Sequence, residues 1–275
     1  MSNQKISLGQ LKFINSMPVN YPFERWRHSK IIVNSGYPTL INQLFKDELL
    51  HVAPVSSIEY LKNKDKYSLI DTICISSGGE VDSVILFSNY EIENLKNKII
   101  GVPYTSATSI ALLKILLKEY GIPLDSCKFV THKYQQSLEN ALLSQFDAIL
   151  YIGDPALVAN IHNKSKFKYD LGLEWKKISG LPMVFANWVV WSDWKSAYPD
   201  DWEWISIILD KAVEAGLNMY LNDVVEKSSR LLNLDKKVIQ DYLTCKIQYK
   251  FTDKHRESLQ LFNSKYQMIS EYCND

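Results

Sequence analysis

The order in which short apolar runs and amphipathic segments follow one another restricts the fold of this chain more than any other feature. Residues 31 to 60 predict a strand, a helix from Pro38 to about Leu49, a second strand, and the start of a second helix at Ser56. Ser56 and Glu59 match a capping box, in which each side chain accepts a hydrogen bond from the other residue's backbone amide. Strand, helix and strand in this order form a βαβ unit, so a parallel sheet is expected.

A second group of the same kind begins near residue 98. The runs IIGV, KFVTH and AILYI predict its strands, and helices are expected from about Ala107 to Tyr120, after KFVTH, and from Asp154 onward. Gly121 directly follows the first of these helices and predicts its end. Apolar residues at spacings of three and four along that helix predict one buried face.

Two further strands are predicted at residues 80 to 88 and 183 to 191, where the chain could pass between the two groups. This arrangement predicts an α/β fold with two lobes joined by a double crossover. Lobe I would comprise residues 1–90 and 188–275, and lobe II residues 91–187. Ligands of such a fold would bind in the cleft between the lobes, against strand ends and helix N-termini.

The C-terminal part of the chain, residues 201 to 275, is expected to be helical. Apolar residues there recur at helical spacing and would share one buried face: Leu259, Phe262, Tyr266 and Ile269. No internal repeat or low-complexity segment interrupts the chain.

The charge balance argues against several classes of partner. Thirty-one basic residues match thirty-one acidic ones, so no overall positive field is available to hold nucleic acid or an anionic membrane surface. No apolar run approaches the roughly 20 residues that a membrane helix needs, and no signal segment is recognised at the start of the sequence. We therefore expect a cytoplasmic protein without a nucleic-acid or membrane partner, in which any anionic ligand is bound locally.

The usual catalytic and metal-binding motifs are missing from the sequence. The four cysteines are scattered without the spacing of metal ligands, so reduced thiols and no metal site are expected. There is no Gly-x-Gly-x-x-Gly, no P-loop, no His-Glu-x-x-His and no Gly-x-Ser-x-Gly, which weakens the case for nucleotide-dependent and zinc chemistry. The five histidines are isolated in sequence and are expected to be surface or packed residues, although His132 stands at a strand end where a cleft residue could lie.

The stretch YTSATSIALL, residues 104 to 113, places small hydroxyl residues between a predicted strand and a predicted helix. The first turn of a helix has unpaired amides and a partial positive charge, so this stretch could hold a carboxylate or phosphate. The residues concerned are Thr105, Ser106, Ala107 and Thr108. In the alternative interpretation, Thr105 or Ser106 only caps the helix. Both interpretations fit the spacing.

Six segments, taken together and in order, carry a resemblance to a known family. They are LKFINSMPVNYPF, HVAPVSSIEYL, ISSGGEVDSVILFS, TSATSIALLKILL, AILYIGDPAL and YDLGLEWKKISGLPMVFANWV. In this order they resemble the MqnA family, the chorismate dehydratases of the futalosine route to menaquinone. The resemblance covers roughly residues 6 to 192 and is specific as a set.

The resemblance implies a two-lobed fold like that of the type II periplasmic binding proteins, used as a cytoplasmic enzyme. It implies that water is removed from the chorismate dianion to give 3-[(1-carboxyvinyl)oxy]benzoate, with no cofactor and no metal. A sister family, which makes 1,4-dihydroxy-6-naphthoate, shares the fold and carries a histidine after the strand corresponding to AILYI. This chain has Gly153, Asp154 and Pro155 there, which favours the dehydratase.

The resemblance also assigns site residues. The asparagine of the family's opening motif falls on Asn15, and the serine of its Ser-Val-x-Leu-Phe-Ser strand falls on Ser83. These two are the expected catalytic residues. The residues expected to bind substrate, in particular its carboxylates at two helix starts, are Ser56, Ser57, Ser106, Ala107, Thr108, Gly153 and Asp154.

Each of these assignments has a structural alternative. Asn15 could only fix a turn before Pro18, and Ser83 could be only a small residue on a strand. The two serines at the start of the first lobe's helix could simply cap it. Gly153 and Asp154 could be a turn and a cap.

The sequence departs from the family pattern at two places. Asn187 stands where the family more usually has an apolar residue, and the Gly-Gly of SSGGEVDS stands where Asp-Gly is common. Asn187 could face the cleft and alter substrate preference, or it could form a local hydrogen bond.

If the matched motifs offer no histidine or lysine base, a carboxylate of the substrate would take the proton while Asn15 and Ser83 position the reacting groups. An enzyme like 1,4-dihydroxy-6-naphthoate synthase and a non-catalytic small-anion-binding protein stay as alternatives, and both a monomer and a homodimer stay open.

Overall fold

The computed structural model describes residues 5–26, 28–104, 106–132, 145–162 and 165–273. Within them the strands are β1 (Ile6–Leu11), β2 (Ile31–Gly36), β3 (Val52–Ser56), β4 (Tyr67–Ser77), β5 (Val84–Ser88), β6 (Ile99–Pro103), β7 (Lys128–His132), β8 (Ala148–Ile152), β9 (Phe167–Asp170), β10 (Met183–Trp191) and β11 (Gln248–Lys250). The α-helices are α1 (Met17–Trp26), α2 (Pro38–Lys46), α3 (Ser57–Lys62), α4 (Ala107–Glu119), α5 (Gly153–His162), α6 (Leu171–Ser179), α7 (Ser192–Ala197), α8 (Pro199–Leu217), α9 (Leu221–Leu232), α10 (Lys236–Asp241) and α11 (Asp253–Gln267). Turns of 3₁₀-helix lie at Ile14–Ser16, Ile92–Asn94, Leu124–Ser126 and Ser270–Tyr272, and a π-helical turn lies at Tyr242–Lys246.

The chain forms two compact units. One comprises Met1–Ser76 with Val184–Asp253, and the other comprises Ser77–Met183 with Lys254–Asp275. The sequence predicts boundaries at residues 90 and 188 and places the whole C-terminal part in lobe I. The observed units differ from that division at residues 77–90, 184–187 and 254–275. Strand β5 belongs to the second unit because both of its neighbours, β8 and β9, lie there. Helix α11 belongs there because it packs on α6.

In the first unit, the described strands form a six-stranded sheet in the order β11-β4-β10-β3-β1-β2. Strands β1, β2 and β3 run parallel, as expected for βαβ units, whereas β10 runs antiparallel to β3. One face is covered by α2, whose Phe45 is fully buried and packs against the rings of Tyr67 and Trp191. Elsewhere in the unit, Gly216 of α8 lies so close to α1 that a Cβ there would overlap the Pro18 carbonyl oxygen. A glycine is therefore required at this helix crossing.

In the second unit, the described strands form a five-stranded sheet in the order β7-β6-β8-β5-β9. Strands β6, β7 and β8 are parallel, and β5 runs antiparallel to both β8 and β9. The contact between α6 and α11 is made by Trp175, whose indole N–H donates to the Ser258 Oγ at 3.0 Å. The ring of Trp175 also meets that of Phe262 edge to face, with 5.6 Å between centroids.

Several predicted elements are confirmed. Strand β10 has the predicted bounds, and α4 begins at Ala107. The four apolar residues predicted to share a face of the C-terminal helix are all buried, but Ile269 lies after α11 has ended at Gln267. Helix α2 ends at Lys46, three residues before the predicted end. Strands β4, β9 and β11 have no counterpart among the predicted strands. The short helix expected between KFVTH and AILYI lies outside the described residues.

None of the helices in the described part of the chain is both long and apolar enough to span a membrane.

Candidate functional site

In the first unit, the predicted site residues follow two neighbouring parallel strands and therefore lie at the same end of the sheet. Asn15 comes after β1, in the 3₁₀ turn Ile14–Ser16, and is half-buried. Its Oδ1 accepts a hydrogen bond from the Ser16 hydroxyl at 3.3 Å. Ser56 and Ser57 come at the end of β3 and the start of α3.

Ser56 is the N-cap of α3, and its hydroxyl accepts a hydrogen bond from the Glu59 amide at 3.3 Å. This confirms the first half of the predicted capping box. The Glu59 carboxylate is engaged elsewhere: Oε1 accepts from the Asn63 side chain and the Tyr67 hydroxyl, and Oε2 lies 3.2 Å from the Lys46 ammonium. The capping role weighed for Ser56 is therefore observed.

Ser57 is fully buried, and its hydroxyl takes part in a chain of hydrogen bonds within the first unit. It donates to the Val184 carbonyl at 2.7 Å and accepts from the Asn187 side-chain amide at 3.1 Å. Asn187 is also fully buried, and its Oδ1 has no hydrogen-bond partner among the described residues. Asn187 thus forms the local hydrogen bond that the sequence left as one of two possibilities.

In the second unit, Ser83 and Gly153 lie side by side. Strands β5 and β8 are antiparallel with Val84 opposite Ile152, and the next residues outward are joined by a hydrogen bond from the Gly153 amide to the Ser83 carbonyl at 2.7 Å. Ser83 is 2 % exposed. It precedes β5, so the prediction of a strand over residues 80 to 88 is wrong in its first four residues. Gly153 has φ of 62°, a conformation that favours glycine, and Asp154 follows it in the first turn of α5.

The start of α4 lies at this same end of the second sheet, because β6 and β8 are parallel. Ser106 is the N-cap, and its hydroxyl accepts from the Ser109 amide at 3.3 Å and donates to the Ser109 hydroxyl at 2.9 Å. Ala107 is exposed and Thr108 is buried. Thr105 lies outside the described residues. The cap alternative for Ser106 is therefore observed, and the binding of an anion at this helix start stays a prediction.

Asp170, at the end of β9, was not among the predicted site residues, yet it connects two segments of this region. Its Oδ1 accepts the amides of Gly172 at 2.9 Å and Leu173 at 3.1 Å, which caps α6. Its Oδ2 accepts the amides of Val81 at 2.9 Å and Asp82 at 2.7 Å, directly before Ser83. Burial raises the pKa of Asp170 to about 6, although the amide hydrogen bonds act in the opposite direction. An aspartate followed by a helical pattern signals the cap in sequence, but nothing local signals the second pair of amides.

Gly172 allows this arrangement by a close approach of chain segments. A Cβ at Gly172 would lie 2.6 Å from the Gly79 carbonyl oxygen and 2.6 Å from the Ser77 Oγ. Since a Cβ does not approach other atoms so closely, any larger residue would push the segment at 77–79 away from α6.

The histidines near strand ends are held by packing. In the second unit, the His132 Nε2 lies 3.0 Å from the Leu150 carbonyl oxygen, and its ring stacks on Tyr151. In the first unit, the His51 Nδ1 accepts the Ser7 amide at 2.9 Å, and burial lowers the pKa of His51. In the part of the chain that the structure describes, no group of three or more His, Cys, Asp or Glu side chains is placed to hold a metal ion.

Comparisons with known proteins give a consistent result. The chain matches the model of a family described as Menaquinone biosynthesis over residues 6–268. It is 28% identical over 254 residues to the chorismate dehydratase of Thermus thermophilus, covering 86% of each chain. It is 25% identical over 259 residues to the chorismate dehydratase of Campylobacter jejuni, covering 92% of this chain and 94% of that relative.

Among solved structures, the periplasmic aliphatic sulphonate binding protein SsuA from Escherichia coli is similar in fold. Its TM-score is 0.72 at 14% identity, and the match covers 98% of this chain and 93% of SsuA. The chain therefore has the α/β fold of the periplasmic binding proteins, as the resemblance implied.

Proposed function

Because the chain belongs to the menaquinone biosynthesis family, we propose that it is a chorismate dehydratase, a hydro-lyase that converts chorismate into 3-[(1-carboxyvinyl)oxy]benzoate. The observation that carries this proposal is the pair of relatives with the same activity, each matched along most of its length. The futalosine route, a cytoplasmic location and the absence of a cofactor are parts of the same proposal.

The chemistry asks for orientation more than for oxidising power. Chorismate has two carboxylates, a ring hydroxyl, and a hydrogen on the adjacent ring carbon. Loss of that hydrogen as a proton and of the hydroxyl together releases one water and leaves an aromatic ring, which supplies the driving force. We assign proton abstraction to a carboxylate of the substrate, so that the protein contributes mainly by holding the reacting groups in place.

Asn15 and Ser83 are the residues we propose nearest the chemistry. Each stands at the end of the sheet of its own unit, beside a helix start or a glycine turn. An amide and a hydroxyl can both donate a hydrogen bond to the leaving hydroxyl or to a substrate carboxylate. Neither group is a base that would take the ring proton in place of that carboxylate. Gly153 and Asp154 adjoin Ser83 and complete this part of the proposed site.

The substrate carboxylates are proposed to bind at helix starts. At α4, the amides that follow Ser106 and the partial positive charge of the helix would hold an anion without a basic side chain. Ala107 and Thr108 belong to this first turn. In the first unit, the Ser57 hydroxyl already donates to the Val184 carbonyl, so Ser57 would contribute its backbone amide. The Ser56 hydroxyl accepts from the Glu59 amide and can still donate to a carboxylate.

The first test is turnover of chorismate by the purified protein. Product formation, followed by chromatography and by loss of the diene absorbance, is expected without added cofactor. Tight binding of chorismate without formation of product would contradict the dehydratase proposal and support a non-catalytic anion-binding protein. If the protein neither binds nor converts chorismate, both proposals are contradicted.

The second test is Ser83→Ala, with Ser88→Ala as the matched control. A lost hydrogen bond to a charged group costs about 1.5–3 kcal/mol, so kcat/KM should fall by at least about tenfold. Ser88 is buried at the far end of β5, the strand that follows Ser83, and its hydroxyl bonds to the Tyr90 backbone. Equal activity of the two variants would remove Ser83 from the site.

Asn15→Asp is the third test. It keeps the side-chain size but adds a negative charge beside a dianion, which should cost several kcal/mol in a desolvated site. Asn34→Asp, on the edge strand β2, makes the same change at a residue that is not assigned to the proposed site. Near-normal kcat/KM in Asn15→Asp would exclude Asn15 from the mechanism.

A further inference from the structure

The two carboxylate oxygens of Asp170 serve two different segments of the second unit. Oδ1 accepts amides of its own helix, α6, whereas Oδ2 accepts the amides of Val81 and Asp82, which lie 89 and 88 residues away in sequence. A group that only capped a helix would need the first pair of bonds alone. The second pair ties down the two residues that come directly before Ser83.

We infer that Asp170 is a positioning residue for Ser83, acting through the backbone of residues 81 and 82. This inference rests on the proposed function, because it assigns Ser83 a task in turnover. It adds to that function a residue that touches neither substrate nor Ser83's own side chain.

The backbone before Ser83 needs such support. Asp82 has φ of 58°, in the left-handed region that residues other than glycine seldom adopt. Such conformations persist where the surroundings hold them. Besides Asp170, the Asn160 side-chain amide contacts the Asp82 carbonyl at 3.4 Å and its Oδ1 at 3.3 Å.

The backbone after this turn is held as well. The Ser83 carbonyl accepts the Gly153 amide at 2.7 Å, so Ser83 sits between a segment fixed by Asp170 and a strand end fixed by β8. Gly172 lets α6 approach closely enough for this, since it leaves space against Gly79 and Ser77. Release of the Oδ2 bonds alone should therefore shift Ser83 while most of the unit stays in place.

The deciding experiment removes the hydrogen bonds that the Asp170 Oδ2 accepts and keeps the helix cap that its Oδ1 provides. In Asp170→Ser, the hydroxyl still caps α6, because serine caps helices about as well as aspartate, but nothing reaches the amides of residues 81 and 82. In Asp170→Asn, the amide oxygen takes the cap and an N–H group faces those two amides. Asp147→Ser is the matched control, since the Asp147 Oδ2 accepts the Ile99 amide at 2.8 Å at the opposite end of the same sheet.

The first readout is steady-state kinetics with chorismate. A misplaced reacting group costs up to about a hundredfold in rate, so kcat should fall between about tenfold and a hundredfold in both Asp170 variants, with KM changed less than about twofold. Asp147→Ser should keep kcat within about twofold. If the Asp170 variants lose no more kcat than the control, or if the loss is confined to KM, Asp170 does not position Ser83.

The second readout does not depend on activity. Hydrogen exchange of the amides at residues 81 and 82 should become at least about tenfold faster in Asp170→Ser than in wild type or Asp147→Ser. Unchanged exchange would overturn the inference whatever the kinetics show. A wild-type protein that does not convert chorismate would instead overturn the proposed function, and the exchange result would still report whether Asp170 holds this segment.

Discussion

Asp170 in the second unit is half-buried and Asn187 in the first is fully buried, and each of these polar side chains ties a helix start to another part of the chain. Asp170 accepts four backbone amides, two on each carboxylate oxygen. Asn187 reaches α3 only through the hydroxyl of Ser57, and its Oδ1 has no partner among the described residues.

The difference follows from charge. A buried carboxylate is costly unless several donors surround it, so a structure that retains one must satisfy it fully. A neutral amide is cheaper to bury and tolerates a missing partner at a cost of about 1–3 kcal/mol. The comparison indicates that the second unit depends heavily on Asp170, whereas the first unit depends little on Asn187.

Asp170→Ala should produce the largest effect. It leaves four backbone amides without their acceptor, and this outweighs the relief of removing a partly desolvated charge, so we expect a loss of about 3 kcal/mol or more in the free energy of unfolding. Urea unfolding followed by tryptophan fluorescence measures it. A loss below about 1 kcal/mol would mean that water replaces the carboxylate readily, and the contrast with Asn187 would disappear.

Gly172→Ala tests the close approach that surrounds Asp170. The added methyl group meets backbone and hydroxyl atoms at 2.6 Å, so the variant should lose about 1–3 kcal/mol. Gly79→Ala is the control, because a Cβ there has no atom within 4 Å and no positive φ is involved. It should stay within about 0.5 kcal/mol of wild type. Equal stabilities of the two variants would show that the segment at 77–79 moves without cost.

The pH dependence of stability sharpens the role of charge. Burial raises the pKa of Asp170 from 3.8 to about 6, so the folded state binds a proton more tightly than the unfolded state between these values. The resulting stabilisation is present in full below pH 3.8 and is lost as the pH rises through about 6. From pH 7 to pH 5, wild type should therefore gain about 1 kcal/mol relative to Asp170→Asn, which lacks this titration. Parallel pH profiles of the two proteins in urea unfolding would contradict a raised pKa.

Asn187→Val should have the smallest effect. It removes one hydrogen bond to Ser57 but also removes an unpaired buried oxygen, so stability should change by less than about 1 kcal/mol in either direction. Valine suits a central strand such as β10. Thermal unfolding against wild type measures the change. A loss above about 2 kcal/mol would show that Asn187 is as firmly integrated as Asp170.

The sequence by itself determined the elements whose signals are local. Strand β10 has its predicted bounds because a continuous apolar run of that length is typical of a buried strand. Helix α4 begins at Ala107 because the Ser106 hydroxyl caps it by accepting a hydrogen bond from the Ser109 amide, only three residues along the chain. The family resemblance was also readable from local segments, and the match over residues 6–268 confirms it.

Only the tertiary structure decided how the candidate site is held. Ser83 lies before β5, and not within it, because the backbone turns at Asp82, where the amides of residues 81 and 82 donate to a carboxylate 89 and 88 residues away. The Ser57 hydroxyl is engaged by residues 127 and 130 positions later. Periodicity and capping patterns extend over a few residues, whereas these bonds form only once the sheets bring distant strand ends together.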